Sequence, residues 1–307
     1  MHTTATTSTL MPGTAGSAVI VTSRDHLIDL QGATRLSLVS LNTAQSLELL
    51  SEIIGADRVK AETQAAKTVA ELCVGLPLAL RIAGSRLATR PHWRIADLAV
   101  RLADSTDRLD ELSVGDLSVR ATFAVSYTNV RSCPELIASA RAFRLLGLWP
   151  GPDISTPAAA AVFGVDLSTA EQALETLLDE HLLQAAGSAE RYRLHGLPSV
   201  YAAERAREEE SMTERQAAIR RLLAWYLHSA VAADEVMAPG NHPVPLGPLP
   251  EGIDPYQPSD SDQALQWLKT ELRNLHAAAK MAAVHHYHET AWRLAAALRI
   301  FYIHQGP

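Results

Sequence analysis

The sequence predicts a mainly α fold: a remnant of a parallel α/β sheet, a run of helices, a winged helix and the start of a helical array. Three observations carry this expectation. Aromatic residues make up only 5% of the 307 residues while apolar residues reach 47%, which suits helices packed through Ala and Leu better than a sandwich of β-branched and aromatic pairs. From residue 42 onward the apolar side chains recur at three and four spacing, the period of one helix face. Only two early segments read as strands: Ala18 to Thr22 (AVIVT), a short continuous apolar run as in a strand buried on both faces of a parallel sheet, and Leu36 to Leu41 (LSLVSL), a second candidate.

Taken in order, residues 1–16 are polar and Thr-rich, a composition that cannot bury a core and predicts a disordered lead. Residues 17–60 hold the two expected strands, then a helix from Asn42 to Ile54 with Asn42 as N-cap and Gln45 placed for a capping box. A buried parallel strand expects neighbours on both edges, so Ala18 to Leu41 is expected to be the weakest and stickiest part of the fold. Residues 61–131 read as helices Ala61 to Val74, Leu78 to Thr89, Ile95 to Ala103 and Leu117 to Tyr127, punctuated by Gly75, Pro77, Pro91 and Gly115.

A second unit, 132–205, has helices over Leu136 to Leu148 and Pro157 to Phe163, and a third opened by Ser168 and Glu171 as a capping box and running to His181. Two strands follow, Leu182 to Ala185 and Arg191 to Leu194, around a small-residue turn. Three helices and a hairpin are the order of a winged helix. A charged helix continues through 206–236, with a break expected near Ser211. Residues 237–258 contain seven prolines, which predicts a linker between domains. Residues 259–307 resume helical spacing, with Leu265, Leu268, Leu272 and Leu275 on one stripe and Trp292, Leu294, Ala295, Leu298 and Phe301 on another. Two such helices cannot bury both faces alone, so they read as the start of a stacked repeat array.

The net charge of −7 argues against a surface that tracks nucleic acid as a whole. Cys73 and Cys133 sit in helix-like contexts, so no disulfide framework or zinc site is expected and a cytoplasmic location follows. The amino terminus has neither a basic nor an apolar leader segment, and no apolar run has membrane-spanning length. His285, His286 and His288 are too closely spaced on one helix to converge on a metal. Ser199 and His195 lack the elbow and acidic partner of a hydrolase. Glu208, Glu209 and Glu210 read as a solvated face.

Three short strings are informative in combination: Thr22-Ser23-Arg24 at the end of the first expected strand, Gly75-Leu76-Pro77-Leu78-Ala79-Leu80 between two helices, and Arg191-Tyr192-Arg193-Leu194-His195 at the end of the hairpin. Their order and spacing resemble the NB-ARC module of the STAND nucleotide switches, in the form found in bacterial SARP-type transcriptional regulators. HWRIADLAVRLAD, VGDLSVRATFAVSY and ARAFRLLGLWPGPDIS resemble the same subfamily, and the likeness runs from about Met11 to Pro307. It implies a P-loop NTPase remnant at 17–60, a helical ARC domain at 61–131, a winged helix at 132–205, a connecting helix at 206–236, and tetratricopeptide-like repeats from 259.

The resemblance also implies an ADP/ATP site. Arg24 matches the arginine that reaches toward the terminal phosphate, Gly75, Leu76, Pro77 and Leu78 match the GLPL motif beside the adenine, and His195 matches the histidine that holds the β-phosphate of ADP. The family often has Asp after this histidine, and this chain has Gly196. No G-x-x-x-x-G-K-[ST] string occurs in the sequence, so the backbone cradle, phosphate lysine and Mg²⁺ ligand of such sites are missing. The chain is therefore expected to be a truncated switch and not an enzyme.

One charged hydrogen bond contributes roughly 1.5–3 kcal/mol, whereas a millimolar complex needs about 4 kcal/mol. With one such bond from His195 and packing on Pro77, the expected ADP affinity is no tighter than about millimolar. The expected partners are helical surfaces of the same chain or of another protein, with DNA bound only through a domain upstream of the nucleotide module. Two other readings stay open: a winged helix that binds DNA directly, and an interaction scaffold without nucleotide. The first needs outward Arg or Lys on the helix from Ser168 to His181, which instead carries Glu171, Glu175, Asp179 and Glu180.

Overall fold

Asn42 starts the first helix by the expected device. Its side chain accepts from the Gln45 amide at 2.9 Å while the Gln45 carboxamide accepts from the Asn42 amide at 3.0 Å, satisfying two N–H groups that the first turn leaves without partners. The computed structural model describes residues 20–22, 34, 36, 38–104, 107–187, 190–194, 196–240 and 246–305. Over these residues the protein is mainly helical, with two small antiparallel sheets.

The first helical unit comprises α1 (Thr43–Ile54), α2 (Ala56–Ala61), α3 (Thr63–Leu72), α4 (Pro77–Ala88), α5 (Ile95–Ala103) and the single turn α6 (Arg108–Glu111). Helix α1 packs on α4 and α3 on α5. Gly84 allows the α1–α4 approach, since a methyl group there would lie 2.9 Å from Ile53 Cγ2. Helix ends are satisfied from neighbouring elements: Arg58 donates to the carbonyl of Leu87 at 2.8 Å, and the Glu62 carboxylate accepts from the amides of Ile95 and Ala96 at 3.1 Å. Each charge therefore sits at the helix end of opposite partial charge.

A two-residue hairpin, β1 (Ser113–Val114) and β2 (Leu117–Ser118), precedes α7 (Val119–Ser132). The winged helix follows as α8 (Ile137–Leu146), β3 (Ile154–Ser155), α9 (Thr156–Phe163), α10 (Leu167–Asp179), β4 (Gln184–Ala185) and β5 (Arg191–Arg193), with strand order β3-β5-β4. Then come α11 (Leu197–Glu209), α12 (Met212–Met237), α13 (Ser261–Val284), α14 (His288–Ala297) and α15 (Arg299–Gln305). The break expected near Ser211 is present. Ser211 caps α12 through a reciprocal pair with Glu214.

Several expectations are corrected. Helix α10 is capped by Asp166, not Ser168: the Asp166 carboxylate accepts from the Thr169 amide at 2.8 Å and its hydroxyl at 2.9 Å, and the helix begins at Leu167. Both residue types cap well, so the earlier start prevails. Of the two parallel strands expected, the described residues 20–22 and 38–41 lie in no strand, and Ile20 and Leu38 are 92% and 87% exposed. No described segment pairs in parallel with them, and a two-sided parallel strand has no stable form without partners.

The Pro-rich stretch is more than a spacer. Ile253 is buried, Trp225 donates its indole N–H to the Asp254 carbonyl at 2.9 Å, the Tyr256 amide donates to Ser229 Oγ at 2.9 Å, and Tyr256 stacks on Trp267 at 5.2 Å. Its second half thus lies against α12 and α13, which pack on each other. Of the acidic run at 208–210 only Glu208 is exposed as expected. Glu210 is buried and pairs with Arg144 at 2.7 Å, while Glu209 accepts from the Tyr127 hydroxyl at 2.8 Å. No helix among the described residues is long and apolar enough to cross a membrane.

Candidate functional site

The site begins at the turn between α3 and α4, where Gly75, Leu76, Pro77 and Leu78 were singled out. Helix α3 ends in a Schellman arrangement: the Val74 amide donates to the Glu71 carbonyl at 3.0 Å and the Gly75 amide to the Ala70 carbonyl at 3.2 Å. The left-handed position just past the cap is Val74, with φ 56°, and Gly75 follows with φ 62°. A β-branched residue with positive φ is strained by about 1–2 kcal/mol, and such strain concentrates where a turn has a task beyond reversing the chain.

Gly75 is required by close approach. A methyl group on it would lie 2.0 Å from the Leu41 carbonyl oxygen, while the Leu41 amide donates to the Gly75 carbonyl at 2.9 Å. The turn is thus pinned to the segment that leads into α1. Pro77 is the first residue of α4, where its missing N–H costs nothing. Pro77 is exposed and Leu76 and Leu78 are half-buried, so the turn offers an apolar ledge to solvent. Beneath it Cys73 is buried, and burial pushes its thiol up to about 12, which removes it as a nucleophile near neutral pH.

The winged helix meets this turn through Gly196. With φ 66° and ψ −124° Gly196 occupies a conformation open only to glycine and begins α11. A methyl group at Gly196 would lie 2.2 Å from Val74 Cγ2. The residue directly after the RYRLH string therefore abuts the residue directly before the GLPL string. Two segments 122 positions apart in sequence form one surface here. Val74 was missed by sequence reasoning, because a valine at that point reads as helix interior. Arg24 and His195 lie outside the described residues.

These residues fit one side of a nucleotide. Leu76, Pro77 and Leu78 supply the apolar contact that a base needs, but the concave side of Gly75 is filled by Leu41 and offers no phosphate cradle. Among the described residues no group of three His, Cys, Asp or Glu side chains could hold a metal ion.

The other half of the RYRLH string turns away from this surface. Arg191 on β5 donates to the carboxylates of Asp153 and Glu271, and Asn274 donates to Asp153 and Glu271 at 2.8 Å. Side-chain exposure is 12% at Arg191 and 2% at Glu271. Nearby, Trp149 stacks on Tyr226 with ring centroids 5.1 Å apart. Arg191 thus fastens the winged-helix sheet to α13, while Gly196 fits it to the first helical unit. On α10, Glu171, Glu175 and Asp179 face solvent at successive turns, an outward acidic stripe that repels phosphate.

No protein-family model matches the chain. It is 41% identical over 291 residues to the regulatory protein AfsR of Streptomyces griseus, an overlap of 92% of this chain and 28% of that protein. To the regulatory protein AfsR of Streptomyces coelicolor it is 42% identical over 283 residues, 89% of this chain and 27% of the relative. About nine-tenths of the chain is therefore similar to a segment spanning little more than a quarter of these much longer regulatory proteins.

Proposed function

We propose that this chain is the regulatory segment of a SARP-type transcriptional regulator, in which the α3–α4 turn and the turn at Gly196 form the apolar wall of an ADP/ATP-responsive switch. The observation that carries this reading is the seating of Gly196 on Val74, which joins the two motif-bearing turns across separate units. The similarity to proteins named as regulators supports the same assignment. The segment reports nucleotide state and does not hydrolyse it, since the sequence has no phosphate loop.

Titration calorimetry with ADP tests this directly. The expected dissociation constant is about millimolar or weaker, and a tenfold excess of ADP over that value raises unfolding free energy by about 1.4 kcal/mol. Micromolar binding by this chain would require a phosphate cradle that these residues do not form. A thermal transition identical with ADP, ATP and no ligand favours the scaffold reading instead. Direct DNA reading by the winged helix is disfavoured by the acidic stripe on α10, and tight, salt-sensitive retention in a gel shift would reverse that judgement.

A further inference from the structure

A cleft of about 450 Å³ opens where the winged helix meets the long helix α12, on different elements from the α3–α4 turn. Its apolar lining comes from Leu148, two residues past α8, and from Met212 and Ile219 on α12. Its polar lining comes from Arg207 on α11, Arg215 and Gln216 on α12 and His285 at the end of α13, and no acidic residue lines it. Arginines in this protein fall into two groups, those that meet a carboxylate and those, such as Arg58, Arg141 and Arg221, that donate to backbone carbonyls. With seven more acidic than basic residues overall, the chain gives Arg86, Arg120, Arg144, Arg191 and Arg205 each a carboxylate partner.

Arg207 and Arg215 have no carboxylate partner among the described residues. Arg207 Nε donates to the Ala203 carbonyl at 3.2 Å, and Arg215 Nη1 donates to the carbonyls of Ala206 and Arg207 at 3.2 and 2.8 Å. Those bonds hold the two side chains in place and leave other guanidinium N–H groups available. Two oriented cations beside an apolar floor have the makeup of a site for an amphiphilic anion, in the size range of small-molecule clefts.

We propose that this cleft binds a small anion with an apolar body, its phosphate or carboxylate head held by Arg207 and Arg215 and its body lying on Leu148, Met212 and Ile219. The site does not depend on the nucleotide reading, and either can fail alone.

The test is calorimetric titration of the whole chain with hexyl phosphate, with inorganic phosphate and hexanol as separate arms. Hexyl phosphate is expected to bind saturably, inorganic phosphate more weakly, and hexanol without saturation. Arg207→Gln should weaken hexyl phosphate about tenfold, the value of one charged hydrogen bond. Met212→Glu, an exposed change at the first position of α12 where acidic side chains suit the helix, should abolish binding by placing a counter-charge in the cleft. Thermal unfolding of both variants reports that the fold is kept, and if one does not fold the other decides. The proposal is overturned if hexyl phosphate fails to saturate by about 10 mM. It is equally overturned if hexanol or inorganic phosphate binds as tightly, or if a folded variant binds hexyl phosphate like the parent.

Discussion

The winged helix is held on two sides by contacts of different physical kinds. Toward the first helical unit the contact is steric, Gly196 against Val74, and beside it Arg120 on α7 bridges α11 and α6, donating to both Glu204 oxygens at 3.0 and 3.1 Å and to the exposed Asp110. Toward α13 it is ionic and buried, with Arg191 between Asp153 and Glu271. A solvated ion pair contributes little, about 0–1 kcal/mol. A buried pair is close to neutral while intact and costs much when broken, because one charge is left stranded. The contact between Gly196 and Val74 is therefore less costly to break than the buried cluster around Arg191, which ties the winged helix to α13.

The largest expected effect tests the buried joint. Glu271→Ala leaves the Arg191 guanidinium with half its counter-charge in a nearly water-free position, and should lower unfolding free energy by about 3–5 kcal/mol in urea denaturation. A loss below about 1 kcal/mol would mean that the pair is effectively solvated and that the two joints do not differ.

Gly196→Ala is expected to come second. It forces a side chain into a glycine-only conformation and into Val74 Cγ2, with a cost of about 2 kcal/mol. Amide exchange should quicken at Leu76 to Leu80 and stay unchanged in α13, and equal acceleration in both would show the two joints to be coupled. Gly196→Asp, which supplies the acceptor common in the resembling family, meets the same obstacle and should not tighten ADP binding. The smallest effect belongs to Arg120→Ala, which should cost no more than about 1 kcal/mol and less at high salt. A larger, salt-insensitive loss would place that pair in the buried class.

Much of the fold was legible because the signals are local. Asn42 and Gln45 specify a cap through atoms three residues apart, the helix Ile95–Ala103 begins and ends where its spacing predicts, and Ser211 breaks the long helix as expected. Strand β3 was not legible, since Ile154 and Ser155 become a strand only by pairing with Tyr192 and Arg191. The cap of α10 moved to Asp166 because two good capping residues stand two positions apart.

For the site, the Gly75 to Leu78 turn was visible as punctuation between helices, but the reason for Gly75 lies in a carbonyl 34 positions earlier. Val74 gave no signal at all. Its left-handed backbone is fixed by bonds to Ala70 and Glu71 around it and by the fit to Gly196.

Helical period, the chain's punctuation and the order of its motifs are encoded locally, because all depend on propensities and hydrogen bonds within a few residues. Tertiary structure alone decided which charges are buried and which turns meet. Glu271 and Arg191, or Glu210 and Arg144, look like surface charges in a linear reading. Burial and pairing depend on packing between elements 80 and 66 residues apart, and no local propensity encodes that distance.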